Sequence, residues 1–476
     1  MNFITYDLIL LAIFIVSTSL FLYKRKENLK KDGLMLLYKT KVGVRIINFI
    51  GKKYKKTLNL LSYFSVGLGF ILMICSLYLI GKVAGAYIFQ SASMVSLTKI
   101  PPIMPLLPYL PQLFKMSYLP PFYFIYWIII LAVVAISHEF SHGIFAINKK
   151  VRVKSTGFGF FPFFLPVFLA AFVELDEKKM EKKKVLSQMA ILSAGTFANV
   201  LIAIISFGLL VLFFSLSFTQ SGIIFDTYTY SFVGLSNISS MNGVSLENAS
   251  YEKIVNLMEN NTLNNITAST KNYVLTSEFL NEQKANSEYI VLYVDSPAIR
   301  ANLSNTIIQF NEVQIQSRKQ LESEFLKYSP GDKIGIITLV NETPFNQEIT
   351  LIKNPSNETQ PYLGIGFYEK TNSNIIGKFM SLISSFKNPS VYYVPKFAAA
   401  EFIYSLLWWL VLIGFSVAVM NMLPVGIFDG GRFFYLMVFS LTKSKKKAKL
   451  VFSIVTYAFL ALLALVMVFW AIGLFK

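Results

Sequence analysis

Within the segment IIILAVVAISHEFSHGIFAINKK, residues 128–150, an apolar run carries the only two histidines of a 476-residue chain, His138 and His142, with Glu139 between them. Residues four apart on an α-helix are separated by about 400° and share a face. Both imidazoles can therefore reach one metal ion while Glu139 lies beside them. Neutral imidazoles are good ligands for Zn2+, whose catalytic sites keep three protein ligands and one water. A neighbouring carboxylate can take a proton from that water and activate it for attack on a carbonyl. The pattern is short and also arises by chance, as two hydrogen-bonded histidines inside a helix bundle. Ionisable groups, however, cost roughly 2.5–3.5 kcal/mol or more in the middle of a spanning helix and usually mark function. That cost favours chemistry.

Two histidines leave a zinc site one protein ligand short. Cys75, the only cysteine, sits in another apolar run. The third ligand must then be a carboxylate at a similar depth. Asp429, in NMLPVGIFDGGR (residues 421–432), is the candidate, because Pro424 and the glycines at 426, 430 and 431 can unwind the backbone around it. Irregular backbone at membrane depth is tolerated where it lines a cavity or is buried in protein. Taken alone, Asp429 would read as an ordinary helix-end carboxylate near Arg432.

These residues need a scaffold, and composition says which kind. The chain is 54% hydrophobic and only 15% charged, against roughly 25% charged in typical soluble domains. Apolar runs of about 20 residues, enough to cross a bilayer core, are expected near Ile4–Tyr23, Leu60–Ile80, Phe122–Ile147, Met189–Phe218, Phe402–Leu423 and Val451–Phe475. The first lacks a basic leader, contains Asp7 and is followed by Lys24-Arg25-Lys26, so it reads as an anchor and not a cleaved signal. The net charge of +18 raises the question of nucleic acid. Its placement answers against it. Segments 24–56, 148–185 and 430–449 hold 27 of the 44 basic residues and alternate with the apolar runs, as the positive-inside rule requires of cytoplasmic loops. Both termini then face outward.

Residues 221–373 differ in kind. They are polar, and seven Asn-x-Ser/Thr sequons (Asn237, Asn248, Asn260, Asn265, Asn302, Asn341, Asn357) fall here, consistent with an exported region. The runs EYIVLYV and KIGIITLV have strand-like patterns, and SRKQLESEFLKY between them places Leu321, Phe325 and Leu326 at helical spacing. The stretch DSPAIRANLSNTIIQFNEVQI resembles a PDZ domain at Ser296, Pro297, Ala298, Ala301, Leu303 and Asn311, with Asn302 where glycine is usual. A second, divergent copy would begin near SSMNGVSLENASYEKIVNLM. Residues 374–397 read as a surface helix with an apolar stripe (Ile375, Ile376, Phe379, Met380, Ile383, Phe386) and a linker. Seven prolines among residues 101–121 exclude a continuous helix there.

Taken together, the chain resembles the site-two protease family of intramembrane zinc metalloproteases. HEFSH matches that family's His-Glu-x-x-His, and Asn421, Pro424, Asp429 and Gly430 match its Asn-x-x-Pro-x-x-x-x-Asp-Gly. AGTFAN matches its Gly-x-x-x-Asn at Gly195 and Asn199, and GFGFFPFFLPVFLAAFVELDE (157–177) looks like its membrane-dipping hairpin. The resemblance implies that His138, His142 and Asp429 bind one zinc ion and that Glu139 is general acid/base. It also implies that Asn199 and Asn421 help hold the substrate peptide or a developing oxyanion. The departure is Thr196, where proline often follows the glycine.

The expected architecture is a polytopic α-helical membrane protein of about six transmembrane helices with an exported β-rich PDZ-like domain. Residues 1–121 would hold two spans of open role, 122–220 and 398–476 the two halves of a protease core, and 221–373 the insertion. Membrane-protein substrates and the lipid bilayer are the expected partners, with no nucleic acid. A polytopic metal or proton transporter would use the same four ionisable residues, although no internal repeat of the kind many transporters have is evident. An inactive membrane adaptor is the remaining alternative.

Overall fold

The computed structural model describes residues 3–32, 35–89, 104–116, 119–160, 169–281, 283, 288–367, 381–382 and 384–474. The chain divides into two compact units: Met1–Phe213 with Glu401–Lys476, and Phe214–Ala400. Among the described residues six helices are long and apolar enough to cross a membrane. The protein is a multi-pass helical membrane protein with a β-rich insertion.

Among the described residues the longer helices of the first unit are α1 (Phe3–Lys24), α2 (Val44–Lys53), α3 (Lys55–Phe89), α4 (Phe124–Asn148), α5 (Val185–Ser217), α6 (Ala400–Asn421), α7 (Asp429–Thr442) and α8 (Lys445–Leu474). Every apolar run read from the sequence becomes one of these. The second is longer than expected: α3 runs for 35 residues, about 50 Å at 1.5 Å per residue.

The core of this unit joins α3, α4, α5, α6 and α7. Leu72 and Met73 pack with Phe145, Ala146, Ile191, Ala194, Ala418, Met422 and Phe433, all buried. With nearly every side chain apolar, few positions are left to specify which helix meets which. One is a buried hydroxyl pair, Ser65 Oγ and Ser193 Oγ, 2.6 Å apart between α3 and α5.

A four-stranded antiparallel sheet completes the unit: β1 (Leu29–Asp32), β2 (Met35–Thr40), β3 (Val153–Phe160) and β4 (Leu169–Leu175), in that order across the sheet. The hairpin expected over 157–177 is thus β3 and β4, and its tip, 161–168, lies outside the described residues. The segment 24–56, read from the sequence only as a basic loop, instead supplies β1, β2 and the amphipathic α2. Ile47 of α2 is fully buried against Gly143 of α4, and Gly51 lies against Ile147. Lys39 of β2 reaches Glu174 of β4 at 2.7 Å, and Ser155 of β3 donates to the same carboxylate at 2.6 Å. The Lys39 ammonium, followed by the Ser155 hydroxyl, holds the Glu174 carboxyl below its usual range.

The second unit contains two six-stranded sheets with separate cores. One has the order 230–234, 289–294, 271–275, 264–268, 238–241, 244–245 and encloses Met241, Ile254, Ile266, Leu275 and Leu292. The other has the order 343–350, 333–340, 306–310, 218–224, 391–395, with 313–314 paired to 306–310, and encloses Ile223, Ile307, Phe310, Leu321 and Ile336. Alternating burial along 333–340 reflects the two faces of a half-buried strand. Asn302 adopts φ of 48°, a left-handed conformation that asparagine tolerates better than most residues, which explains how it stands where glycine is usual. The helix Arg318–Phe325 buries Leu321 as its spacing predicts, but it ends before Leu326, which is exposed. Most of the apolar stripe expected over 375–386 lies outside the described residues.

Candidate active site

α4 is continuous through His138 and His142, and both imidazoles are buried. Their Nε2 atoms lie 3.0 Å apart. The third candidate ligand comes from beyond the broken backbone. α6 stops at Asn421, a turn spans residues 422–428, and Asp429 is the first residue of a separate helix, α7. Pro424 and the glycines make this possible. A Cβ on Gly430 would lie 2.3 Å from the main-chain carbon of Met422, and one on Gly431 2.3 Å from the Val425 oxygen. The turn therefore folds tightly over the start of α7. Oδ2 of Asp429 ends up 3.1 Å from Nε2 of both histidines. Arg432, the neighbour that the sequence would pair with Asp429, instead pairs with Glu177.

Three donor atoms thus form a triangle with sides of 3.0, 3.1 and 3.1 Å. Zinc bonds of about 2.0–2.1 Å in tetrahedral geometry need ligand separations of about 3.3–3.4 Å, so a few tenths of an ångström of expansion admits the ion. Gly195 of α5 supplies the wall, since a Cβ there would lie 2.5 Å from Nε2 of both histidines. Nδ1 of His142 donates to the main-chain oxygen of Ile191 at 2.7 Å, which leaves its Nε2 lone pair for a metal. The residues fit a zinc ion in donor type, number and orientation.

Glu139 offers its carboxylate within 4.8 Å of the two imidazole donors. Its Oε2 accepts the main-chain N–H of Val173 in β4 at 2.9 Å, which docks the sheet beside the site. A cleft of about 340 Å3 opens here, lined by His138, Glu139, Asn199, Asn421 and Asp429, with apolar walls that include Val134, Ile413 and Val417, and with Ala170 and Ala171 of β4. All six polar residues singled out from the sequence are therefore within one unit, five of them on the cleft and His142 behind it. Asn199, expected on the substrate, lies against His138: its amide is 3.0 Å from Nδ1, and the residue is fully buried. The Val173 N–H and the Ile191 oxygen are main-chain groups, which no residue type announces. Asp7 did carry a signal, as a carboxylate in an apolar run. It is buried, and it accepts from Phe124 N at 2.7 Å, from Ile125 N at 2.9 Å and from the Tyr109 hydroxyl.

The profile of peptidase family M50 matches residues 126–466. An uncharacterized protein of Methanocaldococcus jannaschii is 32% identical over 215 residues, which are 44% of this chain and 52% of that protein. The chain thus spans about half the length of this curated relative. Among solved structures, the PDZ domain of an SdrC-like protein from Listeria monocytogenes is 18% identical, with a TM-score of 0.14, covering 15% of this chain and 75% of that one. With the family profile spanning both halves of the helical unit, from the His-Glu-x-x-His helix to the last span, the chain belongs to peptidase family M50, a family of zinc metalloproteases.

Proposed function

We propose that the protein is an intramembrane zinc endopeptidase that hydrolyses peptide bonds in or near transmembrane segments of membrane-anchored substrates. The observation that carries this reading is the convergence of His138 Nε2, His142 Nε2 and Asp429 Oδ2 on one point, beside Glu139 in an open cleft. His138, His142 and Asp429 hold the ion, and the chemistry a zinc ion supplies when bound is Lewis-acid activation of water and of a carbonyl. Glu139 takes a proton from the attacking water and delivers it to the nitrogen of the breaking amide bond, so the carboxylate ends the cycle as it began. Asn421, the last residue of α6, lines the cleft, and its amide is the proposed donor to a substrate carbonyl.

A helical substrate hides its amides in its own hydrogen bonds, so it must unwind before it can react. β4 is an edge strand in the order β1-β2-β3-β4, and an extended substrate can add to it by main-chain pairing. Small side chains at Ala170 and Ala171 leave room for that approach. The spacing of the basic segments supports a topology with the site towards the cytoplasm and both termini and the β-rich insertion outside. The released fragment is then cytosolic, as in regulated intramembrane proteolysis. The insertion, read as one or two PDZ-like copies, screens the external part of a substrate or binds a newly made C-terminus.

The test is metal content in purified wild type, Glu139→Gln and Asp429→Ala, followed by cleavage of spanning peptides. Near-stoichiometric zinc in the first two, its loss in the third, and hydrolysis by wild type alone are the expected results. Folded wild type that takes up no zinc after resupply overturns the reading in favour of a transporter or adaptor.

A further inference from the structure

We propose that Asn199 is a positioning residue that fixes the ring tautomer of His138, by accepting the Nδ1 proton on its side-chain oxygen. The inference rests on the zinc-site reading above. The two histidines are held by different means. Nδ1 of His142 faces the main-chain oxygen of Ile191, and a carbonyl only accepts, so that ring carries its proton on Nδ1 and keeps Nε2 free. Nδ1 of His138 faces the side-chain amide of Asn199 instead, 3.0 Å from Nδ2, while Oδ1 of Asn199 is buried with no hydrogen-bond partner among the described residues.

That orientation is at odds with the rest of the site. If the amide nitrogen donates, Nδ1 of His138 must accept, and the neutral ring then carries its proton on Nε2. The Nε2–H would point at His142 Nε2 and Asp429 Oδ2, where the other two donors converge and a lone pair is needed. The oxygen and nitrogen of an amide fill nearly the same space, so turning the group by 180° costs no packing. Oδ1 then accepts Nδ1–H, and Nε2 of His138 matches Nε2 of His142. The same turn moves the unpaired position from an acceptor to an N–H2 group. Gly195 and Asn199 lie four residues apart on α5, so a single helix face both admits the two rings and orients one of them.

A chain with two histidines makes this measurable, because a histidine-specific 15N label reports only this site. In zinc-loaded wild type two hydrogen-bonded ring N–H protons are expected, one from each Nδ1. In Asn199→Leu the His138 signal should lose its hydrogen-bonded shift while that of His142 stays, which also shows the fold is kept. Zinc affinity, read by chelator competition, should fall about 10–100-fold and recover in Asn199→Asp, whose carboxylate still accepts. A single hydrogen-bonded ring N–H in zinc-loaded wild type overturns the proposal, as does unchanged zinc affinity in Asn199→Leu. Wild type that binds no zinc sinks the parent reading instead.

Discussion

The carboxylate of Asp7, in the first spanning helix, accepts the first two main-chain N–H groups of the helix that carries His138, at Phe124 and Ile125. Helix N-termini leave such donors unpaired, and here both Asp7 and Phe124 are buried in protein. A residue 117 positions away in the chain therefore supplies the cap and, with it, the axial position of the helix that carries both histidines. Replacing Asp7 with alanine is expected to cost about 1–2 kcal/mol, measured as reduced resistance to thermal unfolding in detergent. Asp7→Asn, which keeps one acceptor oxygen, should cost less. Equal losses in the two variants would mean that burial and not the cap is what matters.

Gly195→Ala probes the wall behind the ligands. Its methyl group would sit 2.5 Å from both Nε2 atoms, so overpacking falls on the donors themselves. Strain of about 1–3 kcal/mol should appear as roughly a tenfold to hundredfold loss of zinc affinity with helical content unchanged. Wild-type zinc content in this variant would show that the imidazoles have room to retreat.

The edge of β4 can be tested without touching a ligand. The Val173 N–H points to Glu139, and strand alternation puts the Ala171 N–H on the same side, away from β3. Ala171→Pro deletes that donor, and proline is tolerated on strand edges. About a tenfold rise in KM is expected for the loss of one hydrogen bond, with zinc retained. Unchanged KM would separate substrate binding from this strand.

Acid should loosen the sheet by a route that names its own control. Glu174 has a folded value below the ordinary carboxylate one, through Lys39 and Ser155. Its contribution is therefore present above the ordinary value and lost as pH falls through the depressed one. Amide exchange across 153–175, corrected for intrinsic rate, should speed up as pH falls from about 6 to about 3, and Lys39→Met should flatten that dependence. Identical profiles in the two proteins would remove the ion pair from the account.

What was legible in the sequence was whatever depends on local spacing. His138 and His142 share a face because they are four apart, and Pro424 with its glycines announces a broken backbone before Asp429. Apolar length announced the six spans. The pairing of Leu36–Thr40 with Thr156–Phe160 was not legible, because it joins strands more than a hundred residues apart and the lysines around the first resemble any cytoplasmic loop. The proposed ligand set could be written down from side-chain types and motif resemblance. The groups that orient it, the Ile191 oxygen, the Val173 N–H and the amide of Asn199, could not.

The crowding at Gly195, Gly430 and Gly431 bears on how relatives of this chain should be sorted into working and idle members. A survey that asks only whether two histidines, a glutamate and an aspartate persist would accept a protein with alanine at any of these three positions, where the added methyl meets a ligand or the turn's own backbone within 2.5 Å. Such a protein keeps its full inventory of chemistry and has nowhere to put it. Loss of function in this architecture can therefore begin with the gain of one carbon atom.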